Sequence, residues 1–399
     1  MKIALLSSGI LPIPAVQGGA VENLVDFYLE YNELHHLHDI TIYSVRGNMT
    51  KDYPLHTSFF NHYHYIDTTS LLARTKRFFY KYLHHHEYYN YFIEYFFEEA
   101  YKDIRKKQYD CIILENRPGY AYKLAKRGIR NLVLHLHNDL LNHKTPHHKD
   151  ILHSLSLIIT VSDYIKNRVL TIEESNKVTT VSNGIDLTHF SKKDELSVNR
   201  KLLGLKSDDC VLVFSGRINK DKGIAELIEA MLLLKDLPKI KLLILGSTFF
   251  GNTNNDDSFV RSLKSKALPI QKKIIFTGYI PYNIMPDYLQ LANIAIIPSV
   301  WEEPFGLTCA EALSCGLPII TTNRGGLPEV VGDDNAIVLC PQTDFPVKLA
   351  SAIKCLYNSP KQRQQLAQAS ILRSKYFDKE RYVKEFFETL ENMNHESNM

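Results

Sequence analysis

Two carboxylates that stand eight positions apart, Glu303 and Glu311, are the residues with the clearest chemical potential in this chain. The apolar run 292–299 before them predicts a strand, and the run 308–316 predicts a helix. Glu303 would then end the strand, and Glu311 would lie about one turn into the helix. Because a carboxylate accepts two hydroxyl hydrogen bonds well, the pair fits a sugar and a ribose. Taken alone, Glu311 is equally an ordinary first-turn acid favoured by the helix dipole.

The turn between the two acids predicts an anion site. Pro304 and Gly306 suit a sharp change of chain direction. The first amides of the following helix, at Gly306, Leu307 and Thr308, have no partner within the helix, and the helix dipole makes them attractive to an anion. A phosphate is the expected guest. With the two acids beside it, the loop fits a ligand in which a diphosphate joins a sugar to a ribose.

Two further loops carry residues of the same kind. In the run 214–223, which follows an apolar stretch, Arg217 can clamp phosphate oxygens and Lys222 adds a point charge. A diphosphate leaving group needs such neutralisation when no metal is present, although a solvated basic loop has the same composition. Near the amino terminus, Gly18 and Gly19 let the backbone approach a ligand closely. They do not form the GxGxxG dinucleotide pattern.

The elements that must position these loops alternate between short apolar runs and amphipathic stretches. Such alternation predicts parallel strands covered by helices on both faces, as in a doubly wound α/β sheet. The apolar runs of the first half are 2–8, 39–45, 110–116, 131–137, 157–162 and 177–183, and those of the second half are 210–216, 241–247, 273–279, 294–299, 317–323 and 336–340.

The length and the interruption of this pattern predict two domains. A chain of 399 residues exceeds one ordinary core, and the pattern restarts after a polar stretch near 187–207. We expect a Rossmann-like domain over 1–190, a second over 191–375, and a helix over 376–399 that packs toward the first domain. Ligands of open α/β sheets bind at the carboxyl ends of the strands. Two such domains facing across a cleft would therefore meet at their ligand sites.

Read in order, these motifs resemble a known family, the retaining glycosyltransferases of family 4 with the GT-B fold. The resemblance rests on the GG loop, the GRxxxxKG loop at 216–223 and the two glutamates with PFGL between them. The runs SNGID at 182–186 and GGLPEVV at 325–331 match it as well. It covers nearly the whole chain and is most specific in the carboxy-terminal half.

The resemblance implies a nucleotide sugar as donor, held mainly by the second domain. Glu303 would bind hydroxyls of the donor sugar, and Glu311 would bind the ribose. The diphosphate would be neutralised by Arg217 and Lys222, with help from the amides at the helix start. Gly19 would lie over the donor from the other domain. The remaining donor-binding positions that we expect are Gly18, Gly216, Tyr279, Ile280, Phe305, Gly306, Leu307 and Thr308. For Tyr279 and Ile280, a plain strand end explains the sequence as well.

The family also has a histidine after a strand of the first domain, near the reacting sugar. The run 131–137 offers His135 and His137. We prefer His137 because it is closer to the strand end, and we interpret His135 as a core residue. The resemblance implies that His137 positions a donor hydroxyl and does not act as a nucleophile.

The mechanism implied by the resemblance is transfer with retention at the anomeric carbon and no side-chain nucleophile. We expect no metal and no cofactor, since the acidic runs near Asp256 and Asp333 have the composition of surface turns and not of a DxD motif. By family frequency UDP is the expected nucleotide, with GDP behind it. The expected acceptor is a surface polysaccharide or its lipid-linked precursor.

Composition limits the other partners. With 47 basic and 44 acidic residues, the net charge of +3 gives no argument for nucleic acid. The amino-terminal apolar run is too short for a signal peptide, and the cysteines form no CxxC pair, so we expect a cytoplasmic protein with reduced thiols. In the segment 71–107, cations mingle with Phe and Tyr. This segment either packs as ordinary helices on the first domain or touches the inner membrane face beside the acceptor.

Two other functions are alternatives to glycosyl transfer. A nucleotide-sugar epimerase of the same fold would act on the donor without an acceptor, but its usual set of His and carboxylates is not evident. A noncatalytic sugar-nucleotide-binding partner subunit would bind without turnover. The intact acid pair, Arg217 and Lys222 argue against a loss of donor handling.

Overall fold

The computed structural model describes residues 1–46, 58–83, 90–247, 258–333 and 335–397. It divides into two compact units of comparable size. The first unit joins 1–182 to the carboxy-terminal stretch 380–399, and the second unit is the continuous segment 183–379. Each unit is a separate α/β fold with its own parallel sheet, as the sequence pattern predicts.

The sheet of the first unit has seven parallel strands in the order β3-β2-β1-β4-β5-β6-β7. The strands are β1 Lys2–Leu6, β2 Asp39–Val45, β3 Asn61–Ile66, β4 Cys111–Glu115, β5 Leu132–Leu136, β6 Leu155–Thr160 and β7 Val178–Thr180. The helices are α1 Ala20–His35, α2 Leu71–Leu83, α3 Tyr91–Ile104, α4 Pro118–Lys126, α5 His148–Ser154 and α6 Asp163–Leu170.

The second unit repeats the design with six parallel strands in the order β10-β9-β8-β11-β12-β13. A short helix, α7 Leu187–Phe190, precedes them. The strands are β8 Cys210–Ser215, β9 Ile240–Leu245, β10 Ile274–Gly278, β11 Ile294–Ile297, β12 Ile319–Thr322 and β13 Ala336–Leu339. Its longer helices are α8 Ile224–Leu233, α9 Ser258–Lys266, α10 Met285–Leu289, α11 Leu307–Ser314, α12 Leu327–Val331, α13 Phe345–Asn358 and α14 Pro360–Ser374. The last helix, α15 Lys379–Ser397, belongs to the first unit from Glu380 onward.

The central strands are buried on both faces, which explains their unbroken apolar sequences. In β1, β4 and β5 nearly every side chain is enclosed. Strand order reverses between β1 and β4 in the first unit and between β8 and β11 in the second. Such a switch point opens a crevice beyond the carboxyl ends of the two strands, where ligands of doubly wound folds bind.

The unit boundaries lie a few residues from the predicted positions of 190 and 375. Residues 183–190 belong to the second unit because Ile185 pairs with Asp378 and because the ring of His189 contacts the carbonyl of Tyr282. The predicted carboxy-terminal helix is α15, which packs within the first unit. There the ring of Phe386 stacks on Tyr28 of α1, with centroids 4.5 Å apart.

Some features named from the sequence fall outside the described residues. These are Asp256 with its neighbours, Asp334, and the stretch 84–89 within the aromatic segment. Among the described helices none combines the length and the apolarity that crossing a bilayer requires. The six cysteines are free thiols, and three of them are buried.

Candidate active site

The switch point of the second unit brings together the two loops that the sequence analysis singled out. One loop follows β8 and carries Arg217 and Lys222, and the other follows β11 and carries Glu303. Their backbones are joined directly, since the amide of Val300 donates to the carbonyl of Asp221 at 2.9 Å, and Ser299 Oγ lies 3.1 Å from the same carbonyl oxygen. Gly223 has a φ of +68°, and a Cβ there would run into the carbonyl of Pro298. Only glycine therefore permits this close approach.

Lys222 and Glu303 are in direct contact across these loops. Lys222 Nζ lies 2.5 Å from Glu303 Oε1, and Ser299 Oγ donates to the same oxygen at 2.7 Å. The Lys222 side chain is 24% exposed and that of Glu303 is 8% exposed. A cation that solvent can reach thus holds a nearly buried carboxylate in the loop after β11. Both residues are predicted from the sequence, each with its own ligand contact, whereas their pairing with each other is seen only in the structure.

The start of α11 lies immediately beyond Glu303. Gly306 has a φ of +106° and caps the helix without a side-chain hydrogen bond. Within the described chain the amides of Leu307 and Thr308 donate to no acceptor, and both residues are only partly buried. Free amides at a helix start are the feature on which the predicted anion site depends. The nearby Glu303 carboxylate raises the pKa of Cys309, after the larger effect of burial, which shows how close this acid is to the first turn.

Glu311 lies in the middle of α11 and is 91% buried. Its carboxylate accepts no hydrogen bond from any residue that the structure describes, and burial raises its pKa to about 8. Its electrostatic neighbours are Tyr282 and Cys315, whose pKa values are raised first by burial and then by this acid. A buried acid without hydrogen-bond donors is costly unless a ligand supplies them. This observation separates Glu311 from an ordinary first-turn acid.

The backbone at Glu303 is held by the turn before α12. Gly326 N donates to the Glu303 carbonyl at 2.7 Å, and a Cβ at Gly325, where φ is +58°, would strike the Glu303 backbone. Glu302 pairs with Arg324 at 2.8 Å and accepts from Gly325 N at 2.6 Å. The GGLPEVV run therefore fixes the position of the acid in space, a role that the sequence analysis did not assign.

The other predicted donor-binding residues of the second unit lie in the loops after β8, β10 and β11. Gly216 adopts a φ of +142° at the end of β8, and Arg217 after it is exposed. Tyr279 and Ile280 follow β10, the first 38% exposed and the second buried. Phe305 is buried, with its ring 5.5 Å from Phe377. These placements locate the residues but do not test their roles.

At the switch point of the first unit, the GG loop follows β1. Gly19, with a φ of +122°, caps α1, and a Cβ there would collide with the carboxylate of Glu22. A Cβ on Gly18 would meet nothing within 4 Å. Glu22 is buried in the first turn of α1, and burial, aided by the nearby Glu115 carboxylate, raises its pKa to about 7. Glu22 is not among the residues predicted from the sequence, although its place three residues after the GG pair is a recognisable first-turn position.

His137 follows β5 and contacts Glu115, the last residue of β4. His137 Nε2 lies 2.9 Å from Glu115 Oε2, and His135 Nδ1 lies 3.2 Å from the same oxygen. Burial, with His135 alongside, lowers the pKa of His137 to about 4. His135 is fully buried, as expected of a core residue, but it also holds this carboxylate. Glu115 escaped the sequence analysis because it ends an apolar strand, and the acid at that position is the signal that could have revealed it.

The ligand atoms of Glu115, His135 and His137 lie within 4.8 Å of one another and form the one group in the described chain with the composition of a metal site. In the structure His137 Nε2 and His135 Nδ1 lie 2.9 and 3.2 Å from Glu115 Oε2, and both separations are hydrogen-bond distances.

A cavity of about 1400 Å³ that first-unit residues line is elsewhere. It opens at the amino ends of the strands, beside Lys2, Asp39 and His62. Ligands of doubly wound sheets bind at the opposite, carboxyl ends. Volume alone therefore does not locate the candidate site.

The chain is similar to proteins that are named as glycosyltransferases. The family model for glycosyl transferases group 1 matches residues 197–373. The Bacillus subtilis protein "Putative glycosyltransferase YtcC" is 30% identical over 367 residues, which cover 88% of this chain and 82% of that protein. The lipopolysaccharide 1,2-N-acetylglucosaminetransferase of Salmonella typhimurium is 25% identical over 57% of this chain and 58% of its own length.

A solved structure shows the same fold. Anabaena Alr3699/HepE, in complex with UDP-glucose, superimposes with a TM-score of 0.72 at 20% identity, covering 98% of this chain and 100% of the other. The two parallel sheets described above are thus the two Rossmann-like domains of a GT-B fold. On the match of its carboxy-terminal half and the similarity to YtcC over nearly its full length, the chain belongs to the glycosyl transferases group 1 family.

Proposed function

We propose that this glycosyltransferase moves a sugar from a nucleoside diphosphate donor, most favourably a UDP-sugar, to a hydroxyl of a glycan or lipid-linked glycan, with retention and without a metal, as in family 4. The observation that carries the proposal is the contact of Lys222 with Glu303 immediately before the open amides of α11. One small region thereby offers a cation, an anion-binding helix start and a hydroxyl acceptor.

In the proposed donor complex, the diphosphate binds at the amides of Leu307 and Thr308 and draws Lys222 toward it. Arg217 supplies the second cation from the same loop. Glu303, released from Lys222, accepts hydroxyls of the sugar, and the unpartnered carboxylate of Glu311 accepts those of the ribose. The complex of Alr3699/HepE with UDP-glucose, in a protein of the same fold, supports a nucleotide sugar as the ligand class.

The proposed reaction needs no group that enters a covalent intermediate. The bond from the anomeric carbon to the diphosphate oxygen breaks, and a bond from that carbon to the acceptor oxygen forms on the same face. The acceptor proton passes to the departing diphosphate oxygen. The protein positions the partners and stabilises the charge that develops on the leaving group. His137 is proposed to hold a sugar hydroxyl during this step.

The acceptor class rests on relatives and on chemistry. A relative carries the name of a lipopolysaccharide N-acetylglucosaminetransferase, which supports a surface glycan or its lipid-linked precursor as acceptor. GDP-sugars remain the second donor class to test.

Purified protein assayed against a panel of UDP- and GDP-sugars, with and without glycan acceptors, tests the proposal. We expect one nucleotide sugar to raise the melting temperature and to be consumed only when an acceptor is present, and the new linkage, read by NMR, to keep the donor's anomeric configuration. Glu303→Ala should abolish transfer while the protein stays folded. The matched control is Glu229→Ala, which removes an exposed acid of α8 that pairs with Lys266 of α9. This variant should retain activity.

The same assay separates the alternatives. Consumption or isomerisation of the donor without any acceptor would indicate an epimerase. Binding without turnover under every acceptor condition would indicate a noncatalytic partner subunit. An inverted linkage would overturn the retaining mechanism.

We also propose that the enzyme works in the cytoplasm, at the inner face of a membrane, through helix α2 of the segment 71–107. On α2 the side chains of Leu71, Phe78 and Tyr82 are 83%, 67% and 79% exposed. Cations stand between these apolar residues, and the helix contains no acid. An exposed apolar stripe beside basic residues is the pattern of helices that lie on anionic lipid.

A further inference from the structure

Glu115 is a buried acid that three donors surround. On Oε1 it accepts the hydroxyl of Tyr28 at 2.7 Å, and Oε2 faces His135 Nδ1 at 3.2 Å and His137 Nε2 at 2.9 Å. Neither the carboxylate nor His135 has any exposed surface. Such a set satisfies the acid completely, as a buried carboxylate requires. The arrangement also determines which way each imidazole ring faces.

The arrangement fixes the hydrogens on His137. Burial alone would raise the pKa of Glu115, but the two histidines outweigh it and hold that pKa below its usual range, so the acid is ionised. An ionised carboxylate only accepts hydrogen bonds, and Nε2 of His137 must therefore carry the hydrogen that it donates. The ring is neutral at neutral pH because the pKa of His137 is lowered to about 4. Nδ1 is left as a bare acceptor.

That acceptor has no partner. His137 Nδ1 is buried without a hydrogen bond to any described residue, and Oδ1 of the next residue, Asn138, is in the same state. Both atoms follow β5, beside the switch point of the first unit. Nε2 of His135 is also unpartnered, but that ring is fully enclosed, whereas His137 is 9% exposed. An unpartnered buried acceptor is costly, and a ligand hydroxyl would remove the cost.

From this geometry we infer that Glu115 is the positioning residue for His137: it holds the Nε2–H tautomer, so that Nδ1 accepts a hydrogen bond from a substrate hydroxyl. The inference rests on the proposed glycosyl transfer for its kinetic consequence, but not for the tautomer itself. Glu115 acts through His137 and touches no reacting atom. Fixing the tautomer in advance removes a reorientation that would otherwise accompany the reaction.

Glu115→Gln tests the role. The amide has one oxygen for three donors, so it cannot serve Tyr28 and both histidines at once. We expect kcat to fall by about 10- to 100-fold, with KM changed less than about threefold. Losses of this size follow when a group that orients a functional imidazole is removed. Glu94→Gln is the matched control, since Glu94 is also buried in the first unit, where it pairs with Lys123. Its kcat should stay near that of the wild type, and thermal melting should show both variants folded.

A spectroscopic readout tests the tautomer without any activity. In long-range proton–nitrogen NMR spectra of protein with ¹⁵N-labelled histidine, His137→Gln identifies the signals of this ring. We expect protonated Nε2 and bare Nδ1 in the wild type, and a different or mixed tautomer in Glu115→Gln. A protonated Nδ1 or an imidazolium in the wild type would overturn the inference even if transfer is confirmed. The expected tautomer in a protein without transferase activity would instead contradict only the proposed function.

The competing interpretation of the same residues is a metal site. Elemental analysis of the purified protein decides it. Stoichiometric zinc that disappears in Glu115→Gln would replace the inference, and protein free of metal with the expected tautomer supports it.

Discussion

Lys222 Nζ and Glu303 Oε1 lie 2.5 Å apart. They belong to the loops after β8 and β11, the two strands between which the strand order of the second sheet reverses. The same two groups are the proposed partners of the diphosphate and of the sugar. In the free protein each therefore occupies the place of the other's ligand. A donor that attracts Lys222 with its phosphates simultaneously releases the acid to accept hydroxyls. We therefore expect binding of the two parts of the donor to be coupled.

The first prediction concerns stability without ligand. Lys222→Met should lower the free energy of unfolding by about 1–3 kcal/mol, because it leaves the nearly buried Glu303 carboxylate with only Ser299 as donor. Glu303→Gln should cost less, since the partly exposed Lys222 turns to water. Urea denaturation of the two variants measures the difference. In the double variant the penalty should be smaller than the sum of the two single penalties, and strict additivity would contradict the coupling.

The second prediction concerns catalysis by the same lysine. Lys222→Met should reduce kcat by about 10²- to 10³-fold if it stabilises the leaving diphosphate, as removal of one preorganised electrostatic donor does elsewhere. Lys220→Met, which removes an exposed cation from the same loop, is the matched control. Equal losses in the two variants would indicate a general effect of loop charge instead of the specific contact.

If Glu311 binds the ribose as proposed, the affinity for the donor should weaken as pH falls. Its pKa of about 8 in the free protein means that the acid is mostly protonated at pH 7. Ribose hydroxyls that donate to it favour the ionised form, so binding should release a proton. Affinity for UDP-glucose, chosen because its phosphates do not titrate in this range, should weaken by up to about tenfold per pH unit as pH falls below 8. Isothermal titration calorimetry in buffers of different ionisation enthalpy measures the proton released.

The control for that experiment is Glu311→Gln, in which the pH dependence should disappear. The pH dependence of the free energy of unfolding gives an independent check that the pKa of Glu311 is raised and not lowered. A folded-state pKa raised from 4.5 to about 8 means that the acid contributes stability fully below pH 4.5 and loses it as pH rises toward 8. Glu311→Gln should therefore stabilise the free protein at pH 9 relative to the wild type, and much less at pH 5. The same difference at both pH values would show that Glu311 does not titrate as stated.

How far the sequence predicts this molecule depends on how local each feature is. Strands such as β1 and β4 are evident because both faces are buried and the sequence is continuously apolar. The edge strand β3, with the sequence NHYHYI, is missed because alternating His and Tyr carry no apolar run and half of the strand meets solvent. Its pairing with β2 comes from the fold and not from its own residues.

The site divides in the same way. The turn and helix start at Gly306 are predictable because they are local features. The contact of Lys222 with Glu303 joins residues 81 positions apart, and that of His137 with Glu115 joins residues 22 positions apart. Only the strand order brings these pairs together. Residue type names the participants, but the tertiary fold decides which of them meet.

Gly19 gives a prediction about backbone geometry. Alanine at this position should lower kcat/KM by about 10- to 100-fold, because its Cβ would displace the carboxylate of Glu22 and shift the loop over the start of α1. Gly128→Ala is the matched control, since Gly128 also has a positive φ, of +83°, but meets nothing within 4 Å and lies outside the site. It should cost only about 1 kcal/mol of stability. Comparable activity in both variants would remove Gly19 from the site.

Metal independence is tested by chelation. We expect full transfer after exhaustive dialysis against EDTA, because two cationic side chains and a helix start are proposed to carry the charge of the diphosphate. Assays with and without added Mn²⁺ or Mg²⁺ give the measurement, and the unchanged melting temperature provides the control for folding. Activity that is lost with EDTA and restored by either ion would overturn this part of the proposal.

The last prediction concerns α2 and lipid. The helix exposes Phe78 and Phe79 at 67% and 59% and carries basic residues without any acid, so both apolar insertion and charge should hold it on an anionic surface. We expect flotation with phosphatidylglycerol vesicles, weaker binding in high salt because the charges are then screened, and none with phosphatidylcholine alone. Phe78→Glu should abolish binding, whereas Leu202→Glu, at a 71% exposed apolar site of the second unit, should not. Wild-type protein that fails to float, or a Phe78 variant that floats normally, would show that α2 does not dock on membranes.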